Sequence, residues 1–279
     1  FPDKAALISR GQRLTYHQVD EESTNLASAL ILLGFKKGDR AVICLDNSPE
    51  AVISIYGILK AGGVFTVIDP KSPWPVINSI IADSRARLLI TARQKLYKGD
   101  GPQFPTADSQ LIIVDGYKSS PRHYPKALLF DGLTEKLDAS IALPCLLEND
   151  LACLIYTSGS TGKPKGIICT HHNMVTAARS IIQYLGNTKD DIVLDVLPLS
   201  FDYGLYQVLM CFIFGGTVIL ESSFTYVQDI LAAIDKEKVT GFPLIPSISA
   251  MLLRLKKFPP AQLKSLRYIT NTGAAWPVS

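Results

Sequence analysis

The sequence predicts an α/β fold organised around a mainly parallel β-sheet covered by helices. Short apolar runs alternate with longer stretches in which apolar residues recur every three or four positions. Gly, Asp and Pro punctuate the ends of both kinds of segment. A β-α-β-α-β succession of this kind pairs its strands in parallel through helical crossovers, which are right-handed.

Taken in order, residues 5–9 and 13–16 read as a short hairpin around Gly11. Residues 19–33 carry Leu26, Ala29, Leu30 and Leu33 at helical spacing, with Gly34 as the stop. Residues 39–45 are an apolar strand, and 50–61 a helix closed by Gly62-Gly63. The strand 64–68 ends at Asp69-Pro70, and a helix over 76–84 leads into the strand 88–91. Residues 92–149 are polar and Pro-containing, with one strand at 111–115, so a boundary or an excursion falls there. The alternation resumes with strands at 151–156 and 166–170 and a helix over 173–185. Strands at 192–197, 217–220, 241–245 and 267–270 then alternate with helices over 204–214, 227–237 and 247–255. No repeat or low-complexity segment interrupts the pattern.

With 47% apolar and 19% charged residues among 279, the composition is that of a globular protein long enough to bury a core. A net charge of +3 gives no reason to expect a nucleic-acid partner. The basic run 254–257 has apolar neighbours at helical spacing and reads as a solvated helix face. The most apolar stretch, 193–220, is broken by Asp195, Pro198, Asp202 and Gly215-Gly216, so no membrane span is expected. Cys44, Cys145, Cys153, Cys169 and Cys211 are far apart in sequence and form no Cys-x-x-Cys pair. Free thiols in a reducing compartment, the cytoplasm, are therefore expected rather than a zinc site or a disulfide framework. The chain opens on Phe1-Pro2-Asp3 with no signal pattern and stops soon after an apolar strand, which is expected of a piece of a longer protein.

The chemistry concentrates between the strands 151–156 and 166–170. Tyr156-Thr157-Ser158-Gly159-Ser160-Thr161-Gly162-Lys163-Pro164-Lys165-Gly166 packs glycines, hydroxyls and two lysines into one turn. Glycines let the backbone approach a ligand closely, and successive N–H groups then form an anion-binding nest. Hydroxyls add donors, and Lys163 and Lys165 add compact positive charge against a polyphosphate. It is not a Walker A loop, because Pro164 follows Lys163 and a strand rather than a helix comes next. A Gly-x-Gly-x-x-Gly turn is also missing, so kinase-like and dinucleotide readings have little to rest on. The plain alternative is a flexible surface hairpin.

Residues 157–166 resemble the signature loop of the adenylate-forming superfamily of acyl-CoA synthetases, luciferases and nonribosomal-peptide adenylation domains. Further elements resemble that family in the same order: Leu14-Thr15-Tyr16, Leu59-Lys60-Ala61-Gly62-Gly63 with Asp69-Pro70, and Thr170-His171-His172-Asn173. Pro198-Leu199-Ser200-Phe201-Asp202 and Asn271-Thr272-Gly273-Ala274-Ala275 complete the series over nearly the whole chain. The resemblance implies a multilayered αβαβα arrangement of two parallel-sheet subdomains, 1–149 and 150–279, with strands exchanged along the chain. It also implies that the small C-terminal lid domain, with its catalytic lysine, lies outside this sequence, so that the piece by itself would be inactive.

As to function, the resemblance implies an AMP-forming ligase. ATP and a small-molecule carboxylic acid would give an acyl-adenylate and pyrophosphate, and the acyl group would pass to coenzyme A or to the phosphopantetheine of a carrier protein. Thr157 and Lys165 would be catalytic, and Thr157, Ser158, Gly159, Ser160, Thr161, Gly162, Lys163 and Lys165 would hold the phosphates. Gly273, Ala274 and Ala275 would lie beside adenine and the substrate carboxylate, although on the residues alone they are a strand-to-loop turn. Mg²⁺ would assist, with its ligands largely beyond this chain. Phe201, Asp202, Tyr206 and Gly273 would border the acid. Phe201-Asp202 resembles amino-acid-activating domains, where the aspartate binds an amino group. Asp202-Tyr203-Gly204 equally resembles stand-alone acyl ligases, in which Asp202 would cap a helix. A nucleotide- or acyl-binding module without activity is the reading from another class. His171 and His172 have no third ligand nearby and read as structural, and Trp74 as a core or loop anchor.

Overall fold

The computed structural model describes residues 1–114, 121–135, 141–158, 164–222, 224, 226–255 and 260–274. Along the chain come β1 (Ala5–Ser9), β2 (Gln12–Thr15), α1 (Tyr16–Leu32), β3 (Arg40–Cys44), α2 (Pro49–Lys60), β4 (Val64–Val67) and α3 (Trp74–Ser84). Next are β5 (Leu88–Ala92), α4 (Arg93–Leu96), β6 (Gln110–Val114), β7 (Leu128–Leu129), α5 (Phe130–Thr134), β8 (Leu151–Ser158), β9 (Pro164–Thr170) and α6 (His171–Leu185). The remainder is β10 (Ile192–Asp195), α7 (Asp202–Phe214), β11 (Thr217–Leu220), α8 (Val227–Glu237), β12 (Gly241–Leu244), α9 (Pro246–Leu253) and β13 (Tyr268–Asn271).

Two units divide the chain: His17–Thr176, and Phe1–Tyr16 together with Ala177–Ser279. In the first, the sheet order is β7-β6-β5-β3-β4-β8-β9, parallel throughout except for the antiparallel β8–β9 hairpin. β3 and β5 are buried on both faces, which is why they read as unbroken apolar runs rather than as alternation. Val42, Leu89 and Ile113 of the sheet pack with Ile77 and Ile81 of α3 and with the buried Trp74. Ser48 caps α2 by accepting the Ala51 N–H at 3.3 Å, and Pro49 pre-sets the first turn.

In the second unit the order is β13-β12-β10-β11-β1-β2, again parallel except for the β1–β2 hairpin. Arg10 and Gly11 turn that hairpin with φ of 50° and 81°, the twist that suits a two-residue connection. β1 lies beside β11, so this sheet is assembled from the two ends of the sequence. Its core sets Leu194, Ile219 and Phe242 against Leu231 and Ile234 of α8.

The structure departs from the sequence expectation in several places. The boundary expected at Asn149 lies inside His17–Thr176, because β8 pairs with β4 and carries β9 with it. In 92–149 the expected strand appears as β6, but α4, β7 and α5 are too short to show a period. Tyr16, expected in a strand, opens α1 instead. α6 begins at His171 rather than Asn173, since Thr170 and Asn173 cap it from both sides. The Asn173 Oδ1 accepts from the Thr170 N–H at 3.0 Å, and the Thr170 Oγ1 accepts from the Asn173 N–H at 3.1 Å. Among the described residues no helix is long and apolar enough to cross a membrane.

Candidate functional site

The β8–β9 hairpin carries the first group of expected site residues. Its register pairs Tyr156 with Gly166, Thr157 with Lys165 and Ser158 with Pro164. Thr157 and Lys165 thus face each other one pair in from the end where β8 passes to β9, on one side of the ribbon, and both are exposed. Gly159, Ser160, Thr161, Gly162 and Lys163 lie outside the described residues, as do the Ser158 side chain and Ala275.

The base of the turn is clamped by a residue that motif reading passed over. A Cβ on Gly166 would stand 3.0 Å from Tyr156 Cζ, so the missing side chain leaves the space that the tyrosine ring fills. The Tyr156 hydroxyl donates to Asp83 Oδ2 at 2.6 Å, tying the hairpin to α3. Burial, and then the neighbouring carboxylate, push the Tyr156 hydroxyl well above the usual phenol range, so it remains a donor. Nothing in the sequence singled out Tyr156, because its partner across the hairpin is set by the register.

His171 and His172 use their backbone N–H groups on Asp150 O and Glu148 O at 3.1 and 2.8 Å, which fixes the start of α6. Burial lowers the His171 pKa. Among the described residues no group of three or more His, Cys, Asp or Glu side chains is arranged to hold a metal ion.

The second group lines a cavity of about 500 Å³ in the other unit. α6 contributes Ala177, Ile181 and Tyr184; α7 contributes Asp202, Tyr203, Tyr206, Gln207 and Met210; Thr270, Asn271 and Thr272 close it at the end of β13. Its position at a carboxyl end of a parallel strand is where open α/β sheets bind ligands. Of the expected substrate residues, Asp202 and Tyr206 line the cavity, whereas Phe201 is 60% exposed and is the residue preceding α7. Asp202 sits in the first turn of α7, where Oδ1 accepts the Tyr203 N–H at 2.8 Å.

The walls are braced from behind. Tyr203 Oη and Thr270 Oγ1 are 2.6 Å apart, joining α7 to β13, and burial raises the Tyr203 pKa. Gln207, 3% exposed, donates to the Tyr203 carbonyl at 2.9 Å. A Cβ at Gly204 would come within 2.6 Å of the Pro198 carbonyl oxygen, so only glycine lets α7 start this close to the preceding loop. The Asn271 side chain donates to the Ala274 carbonyl at 2.7 Å, shaping the turn in which Gly273 takes φ +87° with open space where a side chain would be. Tyr203, Gln207 and Met210 share a helical face with Asp202 and Tyr206, but the helix was expected from Gly204, so Asp202 and Tyr203 fell outside it.

The chain is 30% identical over 305 residues to a long-chain-fatty-acid–CoA ligase of Bacillus subtilis, covering 100% of this chain and 54% of that protein. It is also 30% identical over 276 residues to the phosphinothricin tripeptide synthetase PhsC of Streptomyces viridochromogenes, covering 98% of this chain and 23% of that protein. The structure resembles the anthranilate CoA ligase AuaEII, solved in complex with anthranoyl-AMP, with a TM-score of 0.88 and 26% identity over 99% of this chain and 53% of that one. The chain thus spans about half the length of the ligases it matches and a smaller part of the peptide synthetase. Two mainly parallel sheets, a glycine-rich hairpin turn and a cavity at strand ends are arranged along a sequence that matches the AMP-binding enzyme profile over residues 1–279, and the chain belongs to that family.

Proposed function

We propose that this chain is the ATP-handling part of an AMP-forming ligase. A substrate carboxylate attacks the α-phosphate of ATP, giving an acyl-adenylate and pyrophosphate, and the acyl group then passes to the thiol of coenzyme A or of a carrier-protein phosphopantetheine. The observation that carries this reading is the opposition of Thr157 and Lys165 next to the connection between β8 and β9. Attack of one anion on another is slow in water, so positive charge and fixed N–H donors around the phosphates would supply much of the rate. Lys165 provides charge on a strand rather than on a free loop, and Thr157 provides a hydroxyl beside it. A cytoplasmic setting accords with ATP and coenzyme A as co-substrates.

The acid is proposed to occupy the cavity bordered by Asp202, Tyr206 and Thr272, one residue before Gly273. Ile181 and Met210 give it apolar wall, which favours a fatty or other simple acid. A second reading, activation of an amino acid, draws on Asp202, whose carboxylate borders the cavity and could meet an ammonium group. Pyrophosphate exchange by the full-length parent protein, measured against a panel of fatty and amino acids, separates them. Exchange driven by fatty acids supports the first reading, exchange driven by one amino acid the second, and no exchange with any acid defeats both.

A further inference from the structure

The β8–β9 register sets Cys153 directly opposite Cys169. Among the described strand pairs no other opposes two cysteines. Opposed residues of an antiparallel pair have Cα atoms about 4.5 or 5.5 Å apart and project from the same face of the ribbon. A disulfide spans Cα separations of about 4.4–6.8 Å, so either kind of pair can be bridged without moving the backbone. Paired across the two strands, the Cys153 and Cys169 side chains leave from the same face of the hairpin. Cys153 is buried and Cys169 only partly so, which gives one thiol a route to solvent and the other none.

We propose that Cys153 and Cys169 form a reversible disulfide when the protein meets a hydroperoxide, making the hairpin a thiol-modification site. The partly exposed Cys169 sulfur attacks the peroxide O–O bond, which breaks to leave a sulfenic acid on Cys169 and one molecule of water or alcohol. The Cys153 sulfur then attacks the Cys169 sulfur; the S–S bond forms, the S–O bond breaks, and the departing hydroxide takes the Cys153 proton as water. Two thiols lose two electrons and one peroxide gains them. Burial, then the charge and hydrogen bond of Cys169, keep the Cys153 thiol protonated until that second step. The bond closes residues 153–169 into a ring that contains the whole glycine-rich turn, and it restricts how far β9 can part from β8.

The test titrates the native chain with hydrogen peroxide, alkylates remaining thiols in denaturant and maps the peptides. The expected result is loss of two of the five free thiols, a linked Cys153–Cys169 peptide lighter by two hydrogens, and recovery with dithiothreitol. Cys44 and Cys211, both buried, should remain alkylatable. In a Cys169→Ser variant the link should vanish and Cys153 should stay reduced over the same titration. The proposal is overturned if Cys153 and Cys169 both alkylate after exposures that oxidise the exposed Cys145, or if either of them is found linked to another cysteine.

Discussion

Arg267 grips the carboxylate of Asp191 with two nitrogens: Nη2 stands 2.7 Å from Oδ2, and Nε stands 3.2 Å from Oδ1. Its third nitrogen, Nη1, donates to the Leu185 carbonyl at 3.0 Å. One side chain therefore ties together the end of α6, the residue before β10 and the residue before β13. Two of those elements, α6 and β13, wall the cavity. The Thr188 N–H and the Thr240 hydroxyl donate to the same carboxylate at 2.8 Å each, and the Asn187 amide does so at 3.4 Å.

Arg267→Ala leaves Asp191 buried with its main counter-charge gone. The expected cost is about 2 kcal/mol, as for a lost hydrogen bond to a charged group at a half-exposed site. Arg267→Lys should recover only part of it, since an ammonium cannot make the two-pronged contact. Urea unfolding checks both. Burial raises the Asp191 pKa, but the Arg267, Thr188, Thr240 and Asn187 bonds outweigh it, and the net shift is downward. A depressed carboxylate contributes stability above its unfolded pKa of about 3.9 and loses it as pH falls through the folded value. The difference between wild type and Arg267→Ala should accordingly shrink in acid. A difference that persists unchanged at low pH would mean the contact acts through packing alone.

Asp195 poses the opposite case. It is 0% exposed at the end of β10; Oδ1 accepts the Leu197 N–H at 3.0 Å, and Oδ2 has no hydrogen-bond partner among the described residues. Burial holds its pKa well above the ordinary carboxylate value. A raised carboxyl gives its full stability below the unfolded pKa and loses it as pH climbs toward the folded value. Wild-type stability should fall relative to an Asp195→Asn variant as pH rises from about 4, by up to about 1.4 kcal/mol per pH unit. Parallel stability curves for the two proteins from pH 4 to 8 would show that Asp195 is ionised in the fold.

Gly166→Ala forces a methyl to within 3.0 Å of the Tyr156 ring. Moving the ring strains its bond to Asp83, so the substitution should cost about 1–2 kcal/mol. Pairing it with Tyr156→Ala should remove the clash, and the double-mutant cycle should show a coupling of at least about 0.5 kcal/mol. Additive effects would mean that the glycine is required for another reason.

Lys165→Ala should separate chemistry from folding. Its side chain is exposed on β9, so stability should change by less than about 0.5 kcal/mol. Pyrophosphate exchange by the parent enzyme should fall about 100-fold or more, as when a fixed donor to developing charge is removed. Equal exchange rates in the two proteins would rule Lys165 out as a catalytic group.

The sequence by itself determined the α/β class, the order of the strands and helices, and the turn that carries the hydroxyls and lysines. These features are local. Apolar period separates strand from helix, Gly and Pro mark the stops, and a dense run such as residues 157–166 is contiguous whatever the tertiary fold. Only the tertiary structure decided which strands became neighbours. Nothing local announces that β1 lies beside β11, that β8 joins β4, or that the division of the chain bypasses Asn149. Nor is it local that Tyr156 fills the space of Gly166 and reaches Asp83, or that Arg267 finds Asp191. Cys153 and Cys169 look like unrelated residues until a register is chosen, and a one-residue slip would turn them to opposite faces. Pairing partners are set by which long-range contacts bury the most apolar surface together, and that sum over the folded chain appears in no single stretch of it.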